Sequence, residues 1–216
     1  MAGESDAEGK VEAAGATRAG VTVGVLALQG AFAEHEARLR QLGARIVELR
    51  DASNLAGACA AGESGGAPAF DRLVLPGGES TVQRKLLAER GMLEPLSRLI
   101  AGGMPVLATC AGLILLAEEV EGGLPCFGTL PARVVRNAYG RQLGSFRTSG
   151  AVGSWGDSLP MTFIRAPYIA EVGPGVEVLS QVDGRIVGVR YGNQIGLAFH
   201  PELDGDTTIH ERFLEM

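Results

Sequence analysis

Aromatic residues are scarce in this chain, 5% of 216, and so are cysteine and histidine, with three of each. Three cysteines are too few, and an odd number, for a disulfide framework in a chain this long. Reduced thiols in a cytosol fit better, and any of the three is free to be chemical. A basic excess is also missing. The 19 Lys and Arg stand against 25 Asp and Glu, a formal net charge of −6, which argues against nucleic acid as a partner. No apolar run approaches the roughly 20 residues that span a bilayer. The amino terminus, MAGESDAEGKVEAAGATRAG, lacks the apolar stretch of a signal peptide. The expectation is a cytoplasmic chain that neither enters a membrane nor carries an export signal. What the sequence has in quantity is apolar residue, 46%, and glycine, 32 of them. A chain of this size buries about 70% of its surface on folding, enough for a core without metal or disulfides.

Residues 1–20 are small, polar and aperiodic and read as a disordered tail, leaving 21–216 as one domain. From Val21, VTVGVLAL is a buried central strand. AFAEHEARLRQLG is a helix with Phe32, Leu39 and Leu42 on one face and Gly43 at its carboxyl cap. ARIVELR and FDRLVLPGG are further strands, separated by the weakly helical SNLAGACAAG and the loop ESGGAPA. A helical stretch from about Ser80 to Ile100, broken near Gly91, leads to a fourth strand, PVLATC, and the helix AGLILLAEEV. This alternation predicts an α/β fold: a mostly parallel central sheet with helices on both faces. After Leu124 the style changes to strand-like segments (ARVVRNAYG, SFRTSG, MTFIRAPYIAEV, VEVLSQV, RIVGVRYG, QIGLAFHPE) with turn signals at Asp183-Gly184 and Gly192-Asn193. They read as an antiparallel extension, closed by a helix from about Asp206 to Met216.

Three segments carry chemistry. Cys110 falls where an apolar strand meets an apolar helix, among Ala108, Ala111 and Gly112. Such a junction projects a side chain above the carboxyl edge of the sheet, and the helix start favours a thiolate. A small buried thiol is the competing reading of that segment taken alone. In LAFHPEL, His200 and Glu202 stand at i and i+2 on what reads as the last strand, so that their side chains point the same way. A carboxylate beside the imidazole fixes its tautomer and leaves Nε2 to act as a base toward a thiol. LPGGEST, residues 75–81, opens a strand into two glycines, with Ser80 as a helix cap. Its Gly78 N–H and that of Ala111 are candidates to hold a developing oxyanion. His35 reads as a surface or packing residue of the first helix, His210 as chemically silent, and Cys59 and Cys126 as structural.

With these residues on view, the chain resembles the class I glutamine amidotransferases that use a Cys, His, Glu triad. Within them it most resembles the glutaminase subunits of two-component pyridoxal 5′-phosphate synthases. The marks run from Val21 to Met216: GVLALQGAFAEH, LPGGEST, TCAGLILLA, RNAYGRQLGSF, FIRAP and FHPEL. The resemblance implies a three-layer, flavodoxin-like amidotransferase fold, with Cys110 as nucleophile, His200 as base and Glu202 as its partner. It places Gly78, Glu79, Ser80, Arg136, Ile164 and Arg165 at the glutamine-binding positions; either arginine suits the substrate carboxylate. Departures are Ala108 where the family has an elbow glycine, a longer ESGGAPA loop, the extra amino-terminal tail, and an end soon after the last helix begins.

The activity so implied is hydrolysis of L-glutamine to glutamate and ammonia, with no metal or organic cofactor. Ammonia would pass, shielded from water, to a separate barrel-shaped synthase subunit in a large hetero-oligomeric ring. That subunit builds pyridoxal 5′-phosphate from a pentose phosphate and a triose phosphate. Hydrolysis would be slow until the synthase docks. The rival readings are the glutaminase subunit of an imidazole glycerol phosphate synthase, disfavoured by RNAYGRQ and FIRAP; a PfpI-like Cys hydrolase; and a catalytically silent scaffold, disfavoured by the intact triad.

Overall fold

The computed structural model of the chain describes residues 20–55, 68–136 and 145–216. The expected tail therefore lies outside the described residues, as do Cys59 and most of the ESGGAPA loop. Strand β1 (Thr22–Leu26) is buried at all five positions, which suits its apolar, β-branched sequence. It lies between β2 (Arg45–Leu49), an edge strand with its first residue exposed, and β3 (Arg72–Leu75). β4 (Val106–Thr109) follows β3, and β12 (Gln194–Leu197) follows β4. All four pairings are parallel. The order β2-β1-β3-β4-β12 is the flavodoxin-like one, which places ligand sites at the carboxyl edge of the strands.

Helix α1 (Phe32–Gln41) connects β1 to β2 in one direction across the sheet. Helices α2 (Ser80–Glu89) and α3 (Leu93–Ala101) connect β3 to β4 in the other. Right-handed crossovers put the two sets on opposite faces. The carboxyl-terminal helix α5 (Thr208–Leu214) joins α1 through a contact between His35 and His210, while α2 packs against α3 and against α4 (Ala111–Leu116). Gly43 takes the left-handed conformation after α1, at φ 85°.

Beyond β12 the sheet continues through β11 (Arg185–Tyr191), β9 (Tyr168–Val172), β6 (Leu130–Val135) and β5 (Ala117–Glu121), with β10 (Glu177–Val182) also paired to β11. Four of these links are antiparallel, β11 with β12, β10 with β11, β9 with β11 and β6 with β9, and β5 with β6 is parallel, so the core is parallel and the extension mixed. Asp183 and Gly184, both at positive φ, close the β10–β11 hairpin. A separate hairpin, β7 (Ser145–Val152) with β8 (Gly156–Ile164), extends to the site.

Two expectations are corrected. AGLILLAEEV is not one helix: α4 ends at Leu116, and Ala117–Glu121 becomes β5, parallel to β6. Ladder pairing and an ion pair between Glu121 and Arg133 at 3.0 Å outweigh the helix preference of Ala and Glu there. MTFIRAPYIAEV is likewise two strands, broken at Arg165, which sits at φ 44°.

Candidate active site

Cys110 stands at the end of β4 with φ 49° and ψ −99°, directly before α4. A non-glycine residue held there stores about 1–3 kcal/mol, a cost met when a fold needs a side chain projected from a tight strand-to-helix turn. The turn is possible because Gly112 has no Cβ: one built there would lie 2.0 Å from the backbone oxygen of Leu75. Ala108 is an ordinary β-strand residue, paired with Gly196 and Leu75 and absent from the positive-φ set, so the missing elbow glycine is not needed for conformation. Cys110 Sγ is 3.9 Å from the carbonyl of Ile164, the last residue of β8, at the open end of the β7–β8 hairpin.

His200 and Glu202 are not on the last strand. β12 ends at Leu197, and Pro201–Leu203 form a 3₁₀ turn, with Pro201 at its start. The turn, not strand alternation, brings the two side chains together, Nδ1 of His200 lying 2.6 Å from Oε1 of Glu202. Proline suits the first position of a helical turn because its missing N–H has no acceptor to lose. The His200 N–H donates to the Thr162 carbonyl on β8 at 2.8 Å, which fixes the backbone under the ring. Burial alone would push the imidazole down. Hydrogen bonds to Cys110 and Glu202, with the charge on both, outweigh it and raise its pKa to about 10. Burial works against ionisation of Glu202 too, but His35 and His200 beside it hold the carboxyl below its ordinary range.

The glycine loop after β3 passes under the same imidazole. A Cβ on Gly77 would sit 2.3 Å from Cε1 of His200, so only glycine admits the ring. The loop is fastened by three hydrogen bonds: Gly77 N–H to Oγ1 of Thr109 at 3.1 Å, Ala31 N–H to the Gly77 carbonyl at 3.1 Å, and Glu79 N–H to Oε1 of Gln29 at 2.7 Å. Because the Gly77–Gly78 peptide is trans, the Gly78 N–H points away from Ala31. Ala111 opens α4, where the first N–H groups have no acceptor within the helix. Ser80 does not cap α2. It is the first helical residue, buried, and Glu79 occupies the cap without a side-chain bond.

These elements enclose a cleft of about 200 Å³ lined by Cys110, His200, Gly78, Glu79, Ser80, Arg136, Ile164 and Arg165. All six glutamine-binding candidates thus face one space with the thiol and the imidazole. Arg165 pairs with Glu79 across the mouth at 3.0 Å. Arg136 touches the Gly122 carbonyl at 3.4 Å. Ile164 is 39% exposed, an apolar side chain at the rim. Sequence reasoning missed Gln29, Gly30, Ala31 and Ile114, which with Gly77 complete the lining; the LQG segment just after β1 was the available signal.

The larger omission is His35 and His210. Neither is a surface residue: both are 0% exposed. Nε2 of His35 lies 3.1 Å from Oγ1 of Thr109 and 3.3 Å from Oε2 of Glu202, and its Nδ1 lies 3.1 Å from Nε2 of His210. Burial holds both imidazoles below their ordinary range, His210 well below. Cys126 is a partly buried free thiol, and burial pushes it up to about 11. Among the described residues no group of three or more His, Cys, Asp or Glu is placed to hold a metal, and no helix is long and apolar enough to cross a membrane.

Residues 25–216 match the model of the SNO glutamine amidotransferase family. The chain is 59% identical over 194 residues to the pyridoxal 5′-phosphate synthase subunit PdxT of Desulfitobacterium hafniense, covering 89% of this chain and 92% of that one. It is 52% identical over 194 residues to the protein of the same name from Methanocorpusculum labreanum, covering 90% and 96%. Among solved structures, a crystal structure of a glutamine amidotransferase superposes with a TM-score of 0.79 at 40% identity, covering 89% of this chain and 97% of that one.

Proposed function

The chain belongs to the SNO glutamine amidotransferase family, and on that premise we propose that it is the glutaminase subunit of a pyridoxal 5′-phosphate synthase, working through Cys110, His200 and Glu202. The observation that carries this reading is the meeting of Cys110 and His200 in one cleft, with Glu202 fixing the imidazole from behind.

The Cys110 thiolate attacks the side-chain amide carbon of L-glutamine, and the carbonyl oxygen takes the negative charge. The N–H groups of Gly78 and Ala111 are the donors assigned to that oxygen. His200, protonated while paired with the thiolate, gives its Nε2 proton to the amide nitrogen. The C–N bond breaks, ammonia leaves and a γ-glutamyl thioester remains. Water, losing a proton to His200 Nε2, attacks the thioester, and the C–S bond breaks to return the thiolate and release glutamate. Glu202 holds Nδ1–H throughout. At the mouth, Arg165 and Glu79 offer opposite charges to the α-carboxylate and α-ammonium of the substrate, with Arg136 a second cation in the lining.

Ammonia then passes to a separate, barrel-shaped synthase subunit in a large hetero-oligomer, in a cytoplasm reducing enough to keep the nucleophile a thiol. The names of the relatives support the partner. Nothing in the site or its relatives favours a histidine-biosynthetic glutaminase, a PfpI-like hydrolase or a silent scaffold. Cys110→Ala, assayed with the synthase subunit, is expected to abolish ammonia release while the fold and the complex persist; retained release would sink the mechanism. A thiol-alkylating glutamine analogue should label Cys110 and spare Cys126, whose raised pKa leaves it protonated at neutral pH.

A further inference from the structure

His200 uses one oxygen of Glu202. The other, Oε2, is buried without a hydrogen bond of good geometry, and a buried carboxylate oxygen left so is costly. The imidazole of His35 lies 3.3 Å from it. The same nitrogen of His35 reaches Thr109, the residue before the nucleophile, and Thr109 in turn accepts the N–H of Gly77 in the glycine loop. One buried ring is therefore the meeting point of the carboxylate, the strand that carries the thiol and the loop beneath the base.

The tautomer follows from the partners. A carboxylate oxygen only accepts, so the arrangement favours a proton on Nε2 of His35, which bonds Thr109 Oγ1 and is drawn to Glu202 Oε2, over a lone pair that the carboxylate would repel. Nδ1 is then a bare acceptor, and its neighbour Nε2 of His210 must donate to it. That leaves Nδ1 of His210 without a proton, and this atom has no hydrogen-bond partner. The reverse arrangement would strand a buried N–H at the same place and set a lone pair of His35 against the carboxylate, which is worse on both counts.

We infer that His35 is a positioning residue of the active site: its Nε2–H, fixed by His210, orients the Glu202 carboxylate and ties it through Thr109 to the nucleophile strand and the glycine loop. The inference rests on the glutaminase reading for its kinetic consequence but not for its structural one. The groups that face His35 are Glu202 and His200 from the turn after β12, Thr109 from β4, His210 from α5, and Glu34 on its own helix. Arg38, next along that helix, donates to the Glu202 backbone carbonyl at 3.4 Å and bears on His210.

Two variants of similar volume separate positioning from packing. His35→Leu deletes the donor, and His35→Gln can restore an N–H near the position of Nε2. With the synthase subunit present, His35→Leu is expected to lower kcat about 10- to 100-fold, the usual worth of a group that orients a functional ligand from behind, with KM little changed. Protonation of Glu202 would remove the acceptor that holds Nδ1–H of His200, so an acid limb set by Glu202 should move to higher pH in the Leu variant, because the carboxylate has lost a donor. His35→Gln should recover most of both. Long-range ¹H–¹⁵N spectra of the wild-type chain alone should show His35 as the neutral Nε2–H tautomer at neutral pH. An Nδ1–H tautomer or an imidazolium there overturns the inference, and so does a folded Leu variant with unchanged kcat and acid limb, or a Gln variant no better than Leu. If the Leu variant does not fold, the wild-type spectra decide. They involve no substrate, so failure of the inference is distinct from failure of the glutaminase reading, which Cys110→Ala tests.

Discussion

Replacing Gly77 by alanine adds one methyl group to a loop whose backbone φ at that residue is not in the left-handed region, so no backbone strain is introduced. The methyl would lie 2.3 Å from Cε1 and 3.0 Å from Nδ1 of His200. Carbon atoms rest at about 3.5 Å or more, so one side must retreat by about 1 Å. The loop is pinned by Thr109 and Ala31, and the ring by Glu202 at 2.6 Å. If the ring yields, the base is displaced relative to the thiol; if the loop yields, the Gly78 N–H is displaced relative to the forming oxyanion. A misplacement of about 1 Å costs on the order of a hundredfold in rate, or about 2.7 kcal/mol of barrier, with an overpacking cost of about 1–3 kcal/mol in stability. The assay is steady-state ammonia release from glutamine in the complex, beside a thermal melt. Gly43→Ala is the control. It places alanine at φ 85° with nothing within 4 Å, so it loses about 1–2 kcal/mol of stability with kcat untouched. If Gly77→Ala turns over within about twofold of wild type while correctly folded, the close contact with His200 is not what sets the base, and the reasoning fails.

Glu202→Gln removes the charge and leaves at most a weaker neutral acceptor for Nδ1–H, so the titration of His200 followed by NMR should fall well below about 10; an unchanged value would remove Glu202 from the triad. Stability should follow the same group. A folded pKa near 10 against the ordinary 6.5 stabilises the protein fully below about pH 6.5, and this contribution is lost as pH rises through 10. Unfolding free energy in Glu202→Gln should accordingly depend less on pH across that window, and an equal slope in both proteins would contradict the assignment. Gly112→Ala drives a methyl into the Leu75 carbonyl, backbone against backbone. It should cost about 3 kcal/mol or more, lowering the melting temperature by about 10 °C; a melt within about 2 °C of wild type would show that the turn can open.

Legibility in the sequence followed the range over which each signal is written. The elbow at Cys110 and the H-P-E segment are local patterns, and a buried strand running into an apolar helix announces itself in about ten residues. The helix-like AEEV after α4 was misread because what makes it a strand is β6, which a window along the chain does not contain. His35, read as a surface or packing residue, is a buried one, and its partners were out of reach for a similar reason. The pattern of Phe32, Leu39 and Leu42 marks α1 as packed on one side, yet the buried positions of that helix are His35, Glu36 and Leu39. A buried histidine is explained only by its partners, Glu202 and His210, which lie near the other end of the chain. The placement of His200 and Glu202 together was right in outcome and wrong in cause, since a 3₁₀ turn replaces the expected strand.

β4 and β12 are adjacent parallel strands with Thr109 opposite Leu197, and the ladder runs one step further, Cys110 N–H donating to the Leu197 carbonyl at 2.8 Å. The nucleophile and the base are thus carried off the ends of two neighbouring strands in the middle of the sheet, about 4.8 Å apart. Loops that bear active sites ordinarily soften before the body of a protein does. Here Cys110 is held by the hydrogen-bonded ladder itself, and His200, three residues past β12, by its own N–H to the Thr162 carbonyl on β8. Heat should therefore leave the thiol and the imidazole in register for as long as the central sheet and β8 stay paired.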